Sequence, residues 1–490
     1  MSPSSFFLRC ALVSAALAQP ALAATPIAQG SIEVTDVMHD VFTSDGTGGF
    51  IHARISSDLR VVEIEELNAA LKVVATHEIR LPEAASMSDS KVKDAKVGEY
   101  APFSNPLRVN ATERSLYVAT VVYGRSAVLT HIDRQTGVQT AMTLEDSLDP
   151  DWAYGFVQSG EGVALLSVHR GSLRGSVSFY NMMGEETGRD RVSLGAPGKR
   201  RETWGFMSVA SGVAQINKLS DGVFEVEVLE PDGEGVVLTQ EIPCEKKCEY
   251  AIQSDYRNRV LIAAMESGRR GPSTLTMSSF DVATGEMARM NIDLSAWAES
   301  HDRKGLKSLH LDSILMTEQG PVVSIQHTGY SNEELENGAE LTWQWSSAVH
   351  VLALNDDLSI RWEGQVDMRQ AEIVAARRGD EIFKPGQLET NFLVTSLGGE
   401  LQFVYATGQR RADAVVMHTR LNLKTGELIS NEEIATKLDD RTFVLRYTAW
   451  GRDGAPTIGL VDGIDGNRWA ASTVHLMTFG EGEPVLVERE

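Results

Sequence analysis

Arginine recurs at one kind of position in this sequence, in short polar stretches that each follow an apolar segment. The arginines at these positions are Arg125, Arg170, Arg174, Arg269, Arg270, Arg410, Arg411 and Arg468. A guanidinium group is planar and donates paired hydrogen bonds, which suits carboxylate, sulfate or phosphate oxygens. Because the chain carries a formal net charge of −23, a recurring set of cations indicates that it binds an anion.

Two structural explanations compete with this anion-binding role. The arginines can be the solvated tips of surface turns, or they can pair with acidic neighbours such as Glu266 and Asp413. The same kind of stretch also holds an acidic run at residues 333–336, so the predicted surface is not uniformly positive. The explanations differ in whether the guanidinium groups have carboxylate partners.

Two tryptophans are candidate aromatic partners for a flat ligand such as a sugar. Trp152 and Trp204 occur in similar contexts, Trp-Ala-Tyr-Gly-Phe and Trp-Gly-Phe. Packing between structural units is the competing explanation, and we favour it because large aromatic surfaces are generally buried. A further pair, Trp343 and Trp345, alternates along one segment and would mark an interaction site if it were exposed. Packing in the core or between structural units is again the favoured explanation.

Linear catalytic motifs are absent from the sequence. There is no Gly-x-Ser-x-Gly turn, no His-Glu-x-x-His pair and no Gly-x-x-x-x-Gly-Lys loop. Asp462, Asp465 and Asn467 are spaced somewhat like calcium ligands, but the donor series is incomplete, and Asp and Gly also form turns. We therefore predict no metal and no cofactor, and we favour a binding role over an enzymatic one.

The first 23 residues predict export. Arg9 supplies a positive charge, residues 10–18 are apolar, and residues 21–23 form a small-residue cleavage site. Nothing after this segment approaches the length of a membrane-spanning helix. We expect a mature protein in the periplasm or outside the cell that does not span a membrane. Its acidic surface would repel nucleic acid.

The mature chain has a close pair of cysteines, Cys244 and Cys248. In an oxidising compartment such a pair is expected to form a local disulfide. A zinc site would need two further Cys or His ligands, and none lies near in the sequence.

A repeated turn indicates which elements carry these residues. Residues 131–137, 280–285 and 421–426 have similar sequences that end in Thr-Gly, and each lies between two segments with alternating apolar residues. Looser copies occur at 180–184, 229–233, 354–357 and 479–482. Glycine accepts the positive φ of such a turn, and an Asp or Asn side chain caps its backbone. The pattern predicts antiparallel hairpins at regular intervals.

The hairpins predict an all-β fold, a single β-propeller domain over residues 24–490 with eight four-stranded blades. Seven blades stay possible if the long sixth unit is misassigned. The strands from residue 34 to residue 488 suffice for eight blades, so no strand has to be borrowed across the ring. Short amphipathic helical patterns at 295–304 and 368–378 are expected between blades. Second-to-third-strand connections share one face of a propeller, so the arginines would form a rim there.

The Thr-Gly turn resembles that of the quinoprotein-like and WD40-like propeller superfamily. Residues 353–362, which close on Trp362, look especially like a quinoprotein repeat. This resemblance implies a fold and not an activity. Most units lack the closing tryptophan and there is no adjacent Cys-Cys pair, so pyrroloquinoline quinone is not expected.

These observations predict an exported, non-catalytic propeller that binds a protein or an anionic glycan through its loop-rich face. The alternative is an exported enzyme that acts on a carbohydrate or another small molecule at the central channel. A scaffold in a larger assembly is the third possibility. Ionisable side chains converging at the channel mouth would favour the enzyme, and arginines without carboxylate partners would favour anion binding.

Overall fold

The structure, a computed structural model, describes most of the chain with gaps. The described residues are 26–34, 37–56, 60–81, 107–122, 126–145, 148–149, 151–159, 162–196, 200–219, 222–233, 235–242, 247–255, 257–268, 271–294, 309–334, 340–378, 381–383, 392–407, 415–435, 442–451, 454–461 and 473–480.

These residues form eight antiparallel sheets arranged in a ring, which confirms the predicted eight-bladed β-propeller. Blade 1 consists of β2 (Val37–Ser44), β3 (Phe50–Ser56), β4 (Val61–Leu67) and β5 (Val73–Arg80). Blade 2 consists of β6 (Leu107–Ala111), β7 (Ser115–Val122), β8 (Ser126–Asp133) and β9 (Gln139–Glu145). Blade 3 consists of β10 (Trp152–Ser159), β11 (Gly162–His169), β12 (Arg174–Tyr180) and β13 (Glu186–Ser193).

The next four blades follow in the same order along the chain. Blade 4 consists of β14 (Arg201–Val209), β15 (Gly212–Leu219), β16 (Val223–Leu229) and β17 (Val237–Glu241). Blade 5 consists of β18 (Lys247–Ser254), β19 (Arg259–Gly268), β20 (Gly271–Asp281) and β21 (Met287–Asp293). Blade 6 has five strands, β22 (Leu309–Thr317), β23 (Gly320–Glu334), β24 (Glu340–Leu354), β25 (Ile360–Arg378) and β26 (Glu381–Phe383). Blade 7 consists of β27 (Phe392–Leu397), β28 (Glu400–Thr407), β29 (Val415–Asn422) and β30 (Leu428–Ala435).

Blade 8 is assembled from both ends of the chain. It consists of β31 (Thr442–Trp450), β32 (Pro456–Val461), β33 (Thr473–Thr478) and, as its outermost strand, β1 (Ala28–Glu33). In the register of the last pair, Ala28 lies opposite Thr478 and Glu33 lies opposite Thr473. The prediction that no strand is borrowed was therefore wrong, because the N-terminal strand completes the last blade.

The second structural correction concerns residues 368–378, whose sequence suggested an amphipathic helix. They continue β25 and pair with β24, for example Trp343 with Ile373 and Glu340 with Arg377. A long neighbouring strand offers these residues a complete backbone ladder, and tertiary pairing overrides a weak local preference for helix. The other helical pattern, at 295–304, lies outside the described residues.

Both faces of each blade are apolar, and each pair of neighbouring blades shares one hydrophobic cluster. In β16 the residues Phe224, Val226 and Val228 alternate with partly exposed side chains, as expected for a strand with one buried row. A single blade cannot bury two apolar faces, so the ring of contacts is what makes the fold stable.

The Thr-Gly turns are built as the sequence predicts. Gly137, Gly285 and Gly426 have φ values of 71°, 74° and 73°, which a residue with a side chain rarely adopts. In the first turn the Oδ1 atom of Asp133 accepts hydrogen bonds from the backbone N–H groups of Gln135 and Thr136 at 3.0 and 2.8 Å. Each turn connects the third and fourth strands of its blade, on the face that we call the hairpin face.

In each Thr-Gly turn, the residue directly after the capping Asp or Asn docks onto the preceding blade. In blade 7 this residue is Leu423, whose carbonyl oxygen accepts a hydrogen bond from Nε1 of Trp362 in blade 6 at 2.8 Å. A Cβ atom on Gly426 would lie 2.6 Å from the Trp362 ring, so the glycine also allows the indole to pack closely. The tryptophan that suggested a quinoprotein repeat therefore joins two blades.

Arg134 is the docking residue of blade 2, and it is charged. Its Nη2 atom lies 2.7 Å from Asp45 Oδ2 and its Nε atom lies 2.7 Å from Glu66 Oε2, both in blade 1. The two carboxylates are only 3% and 5% exposed, so this is a buried ion pair between blades. Burial alone would raise the pKa of Asp45, but hydrogen bonds from Arg134, Thr47 and Gly49 lower it below its usual value.

Candidate anion-binding cleft

The structure describes part of the predicted arginine rim. Arg170 and Arg174 lie among the described residues on blade 3. The other members lie outside them: Arg125, Arg269, Arg270, Arg410, Arg411 and Arg468. A rim that runs around the whole face stays a prediction, and the chemistry can be examined at blade 3.

A cleft of about 680 Å³ opens on one face of blade 3 and includes Arg174. The strand register places its polar side chains together. Trp152 pairs with His169, Ser167 pairs with Ser176, and Ser176 pairs with Arg191. Because alternate residues of a strand share a face, Arg174 and Arg189 join the same row. The cleft therefore crosses all four strands of the blade.

This face of blade 3 is turned towards blade 2. Trp152 shares a side of β10 with Tyr154 and Phe156, and both of these pack in the hydrophobic cluster that blades 2 and 3 have in common. Tyr180, on the same side of β12 as Arg174, belongs to that cluster as well. The apolar end of the row thus anchors the two blades, and the polar end lines the cleft.

The cleft concentrates positive charge. Arg174 and Arg191 are exposed, and neither forms an ion pair with any residue in the described part of the chain. Arg189 is paired through Nε with Glu186 at 3.1 Å, but both side chains are largely exposed. Asp190 alternates with Arg189 and Arg191 along β13 and also lines the cleft, so three arginines accompany one carboxylate there. Its Oδ2 accepts a hydrogen bond from the backbone N–H of Glu230 in blade 4 at 3.4 Å.

His169 and Trp152 form the inner end of the cleft. Their rings meet edge to face with centroids 5.6 Å apart. The backbone N–H of Ser172 donates to Nδ1 of His169 at 3.1 Å, so the proton of the neutral imidazole is on Nε2. That N–H is a donor available beside the arginines. The arrangement combines hydrogen-bond donors with an aromatic edge, which suits an anionic ligand that also has a ring.

Arg170 contacts the backbone at the start of β10. Its Nε atom donates to the backbone carbonyl of Trp152 at 3.1 Å, so it fixes the start of β10. The backbone N–H of Arg170 in turn donates to the carbonyl of Asp151 at 2.8 Å. These contacts hold Trp152 in place at the cleft, and Arg170 does not line the cavity.

The second candidate tryptophan, Trp204, packs between blades 4 and 5. Its ring meets Tyr250 edge to face at 4.8 Å and Phe224 at 6.2 Å. The Nζ atom of Lys218 lies 4.5 Å from the centre of the Tyr250 ring, within range of a cation–π contact. Trp152 begins β10, whereas Trp204 is the fourth residue of β14, at a shift in the strand register. Of the two, Trp152 borders the cavity lined by arginines.

Several other predicted features lie outside the described residues. They are the signal at residues 1–23, Cys244 of the predicted disulfide with Cys248, and the calcium-like residues Asp462, Asp465 and Asn467. Trp345 is described, and its ring meets His327 edge to face at 5.2 Å. Within the described ranges, no three His, Cys, Asp or Glu side chains are grouped to hold a metal ion. The same part of the chain contains no helix with the length and apolar character needed to cross a bilayer.

Arg189 and Arg191 were missed by the sequence analysis, which considered only connections between second and third strands. They lie on β13, the outermost strand of blade 3. The alternation Arg-Asp-Arg at 189–191 was the available signal, because it places two cations on one side of a strand and an acid on the other.

Solved structures with similar folds belong to the quinoprotein and WD40 propellers, as the turn motif predicted. A quinohemoprotein alcohol dehydrogenase from Pseudomonas putida HK5 is 12% identical, with a TM-score of 0.40, over 95% of this chain and 78% of that chain. The enzyme from Comamonas testosteroni is 10% identical, with a TM-score of 0.41, over 92% and 76%. The WD40 domain of SCAP from fission yeast is 9% identical, with a TM-score of 0.39, over 92% and 98%. At sequence identities this low, the similarity is evidence of a shared fold and of nothing further.

Comparison with models of protein families gives no match, and neither does comparison with curated protein sequences.

Proposed function

We propose that this protein is an exported, non-catalytic propeller that binds an anionic glycan in the cleft of blade 3. The observation that carries the proposal is the pair Arg174 and Arg191, which share one side of the blade and have no carboxylate partner among the described residues. In a chain with net charge −23, two unpaired guanidinium groups in one cavity favour an acidic ligand.

The spacing of the two arginines suits a single carboxylate or sulfate group. Arg174 pairs with Ser193 and Arg191 pairs with Ser176, so the arginines are diagonal neighbours on adjacent strands. Such positions are about 7–8 Å apart in an antiparallel sheet, within reach of long side chains. Two guanidinium groups can therefore converge on one anion, and charge-assisted hydrogen bonds of this kind are the stronger ones in proteins.

Trp152 and His169 favour a sugar over a simple inorganic anion. An indole edge and an imidazole donor lie beside the cations at the inner end of the cleft. A sugar ring presents apolar C–H groups to an aromatic side chain and hydroxyl groups to an N–H donor. Free phosphate or sulfate would use the arginines and leave this end of the cleft empty.

The enzymatic alternative has less support in the described part of the chain. One cluster of ionisable side chains there contains Asp40, His52, Glu65 and Tyr447, and it lies between blades 8 and 1. His52 is completely buried there, so a substrate in the channel would have no access to its imidazole. This cluster suits a structural role.

The proposal is tested by titrating the purified protein calorimetrically with a sulfated heparin octasaccharide and with a polygalacturonate oligomer. We expect binding at about 50 mM salt that weakens at about 300 mM, because exposed charges are screened. Arg174→Gln and Arg191→Gln should each weaken binding about tenfold or more, the loss expected for a charge-assisted hydrogen bond.

Arg80→Gln is the matched control. Arg80 is 87% exposed on blade 1, so its substitution makes the same change in net charge at a distant site. The proposal is wrong if neither oligosaccharide binds, or if Arg80→Gln weakens binding as much as Arg174→Gln does. Export is tested separately by sequencing the N-terminus of protein from the producing cells, which should begin after Ala23.

A further inference from the structure

We infer that the cleft between blades 7 and 8 is a second ligand site, which takes an uncharged saccharide. The cavity measures about 660 Å³ and opens on the hairpin face. Residues of both blades line it, among them the hairpin at Leu397 and Gly398 and the hairpin from Gly454 to Pro456. This inference is independent of the anion cleft on blade 3, from which it differs in blade, face and charge.

The blade 7 wall is a continuous row of polar side chains. Glu400 and Gln402 alternate on β28, and His418 and Arg420 alternate on β29, so each pair shares a side of its strand. The register places Gln402 opposite Arg420 and His418 opposite Glu432. Five polar side chains from three strands therefore face the same cavity.

Hydrogen bonds hold this row in one geometry. Arg420 binds Glu400 through two contacts, Nε to Oε2 at 2.7 Å and Nη2 to Oε1 at 2.6 Å. The Gln402 amide nitrogen donates to Glu400 Oε2 at 3.1 Å, and the Gln402 amide oxygen lies 3.1 Å from Nε2 of His418. The hydrogen atom of His418 is thus on Nε2, and Nδ1 presents a lone pair. A ligand would meet a wall that is already ordered, which lowers the entropy cost of binding.

The wall offers donors and acceptors side by side. The acceptors are the carboxylate oxygens of Glu400 and Glu432 and the Nδ1 atom of His418. The donors are the guanidinium N–H groups of Arg420. A sugar hydroxyl donates one hydrogen bond and accepts others, so neighbouring hydroxyls match a wall that alternates the two functions. Ile434 and Pro456, both buried, form the apolar part of the lining, against which the C–H face of a ring would pack.

The charges of the lining exclude an anion. Glu400 and Glu432 contribute two negative charges and Arg420 one positive charge, which leaves one negative charge in the cavity. The positive charge of Arg420 is already balanced by Glu400, to which its Nε and Nη2 atoms each donate one hydrogen bond. An anionic oligosaccharide would meet net repulsion, in contrast to the cleft of blade 3.

A glycine keeps the mouth of the cavity open. Gly454 has a φ of 83°, and a Cβ atom there would lie 2.9 Å from Gln402 Nε2 and 3.3 Å from a methyl carbon of Leu397. A side chain at this position would press into the polar row. The neighbouring Ala455, which also lines the cavity, provides a milder way of filling it.

The experiment uses saturation-transfer NMR and calorimetry on the full chain with cellobiose, maltotriose and diacetylchitobiose at millimolar concentration. We expect at least one of these uncharged saccharides to bind, and Glu432→Gln to weaken its binding at least about fivefold through loss of a charged acceptor. Glu433→Gln is the matched control, because Glu433 pairs with Met417 on the opposite side of blade 7. It should leave affinity within about twofold.

A second variant, Ala455→Val, should also weaken binding by filling the cavity without removing a polar group. The inference is overturned if none of the three saccharides binds, or if Glu432→Gln and Glu433→Gln have equal effects. Arg174→Gln must leave binding of the uncharged saccharide unchanged. Binding of the sulfated octasaccharide alone would overturn this inference and leave the proposal for blade 3 intact.

Discussion

Blades 1 and 7 flank blade 8, and each of them contributes one buried histidine to its interface with blade 8. The two histidines differ in their hydrogen-bond partners. His52 of blade 1 is completely buried at the interface with blade 8. Its Nδ1 atom lies 3.2 Å from the Glu65 carboxylate and its Nε2 atom lies 3.8 Å from the Asp40 carboxylate. The hydroxyl of Tyr447 in blade 8 donates to the same Asp40 carboxylate. His418 of blade 7 is 8% exposed at the interface with blade 8, and it is hydrogen-bonded to the neutral side-chain amide of Gln402.

The protonation of the two histidines follows these partners. Burial alone would lower the pKa of His52, but the hydrogen bond and the charges of Asp40 and Glu65 raise it above its usual value. Burial and repulsion by Arg420 lower the pKa of His418 to about 4. Similar burial thus accompanies a raised histidine pKa at one interface and a lowered histidine pKa at the other. The direction of the shift depends on whether a nearby carboxylate is available or is already bound to an arginine.

The largest effect on stability is expected when one carboxylate is removed from each interface. Asp40→Asn should lower the free energy of unfolding by about 3–5 kcal/mol, because it leaves His52 buried with an incomplete set of counter-charges. Glu400→Gln should cost only about 1 kcal/mol, since Glu400 and Arg420 are 18% and 32% exposed and water can solvate the arginine. Guanidinium denaturation measures both, and equal losses would contradict the contrast.

A pH series tests the sign of each histidine's contribution. His418 stays neutral in the folded state down to about pH 4, while an unfolded histidine takes up its proton near pH 6.5. Between these values the unfolded state binds more protons, so stability should fall by about 2–3 kcal/mol as the pH decreases across the window. His52 acts in the opposite sense, because its contribution is complete below about pH 6.5 and is lost as the pH rises through its raised folded-state pKa.

The matched variants are His418→Gln and His52→Gln, unfolded in guanidinium between about pH 4.5 and pH 8. The first should flatten the acid side of the stability profile, and the second should flatten the side above the usual histidine pKa. Parallel profiles for the two variants would show that the interfaces do not differ in charge.

The smallest expected effect is a change in the pKa of His418 itself, followed by NMR titration of its ring proton. Arg420→Met should raise this pKa, because it removes a repelling cation and frees the Glu400 carboxylate. Glu400→Gln should lower it further. Arg174→Gln, on a distant blade, should leave it at about 4. Shifts of the same sign for Arg420→Met and Glu400→Gln would show that charge has no part in setting it.

The blade architecture could be predicted because its signals are local. An Asp or Asn capping its own turn and a glycine with positive φ occupy six or seven consecutive residues, as at 131–137. The borrowed strand could not be predicted in this way, because residues 28–33 resemble any short strand and their partner lies at the other end of the sequence. A strand that pairs with a distant segment carries no local sequence motif that identifies its partner.

The candidate sites were only partly predictable for the same reason. Trp152 and Arg174 could be selected from residue type and position, whereas the roles of Arg170 and Arg189 depend on which side of blade 3 each one faces. His52 and His418 carried no signal, since their charge depends on other strands. The contact between Tyr447 and Asp40 spans 407 residues.

The pairing of β1 with β33 also has a consequence for how the chain folds. Ala28 meets Thr478 only after residue 478 has been made, so blade 8 is the last of the eight blades to be completed during synthesis from the N-terminus. Until then β33 exposes an unpaired edge that could join another chain. Closing so long a loop costs only modestly more entropy than closing a short one, because the cost grows with the logarithm of loop length. Ring closure is therefore the step at which nascent chains are most exposed to mispairing.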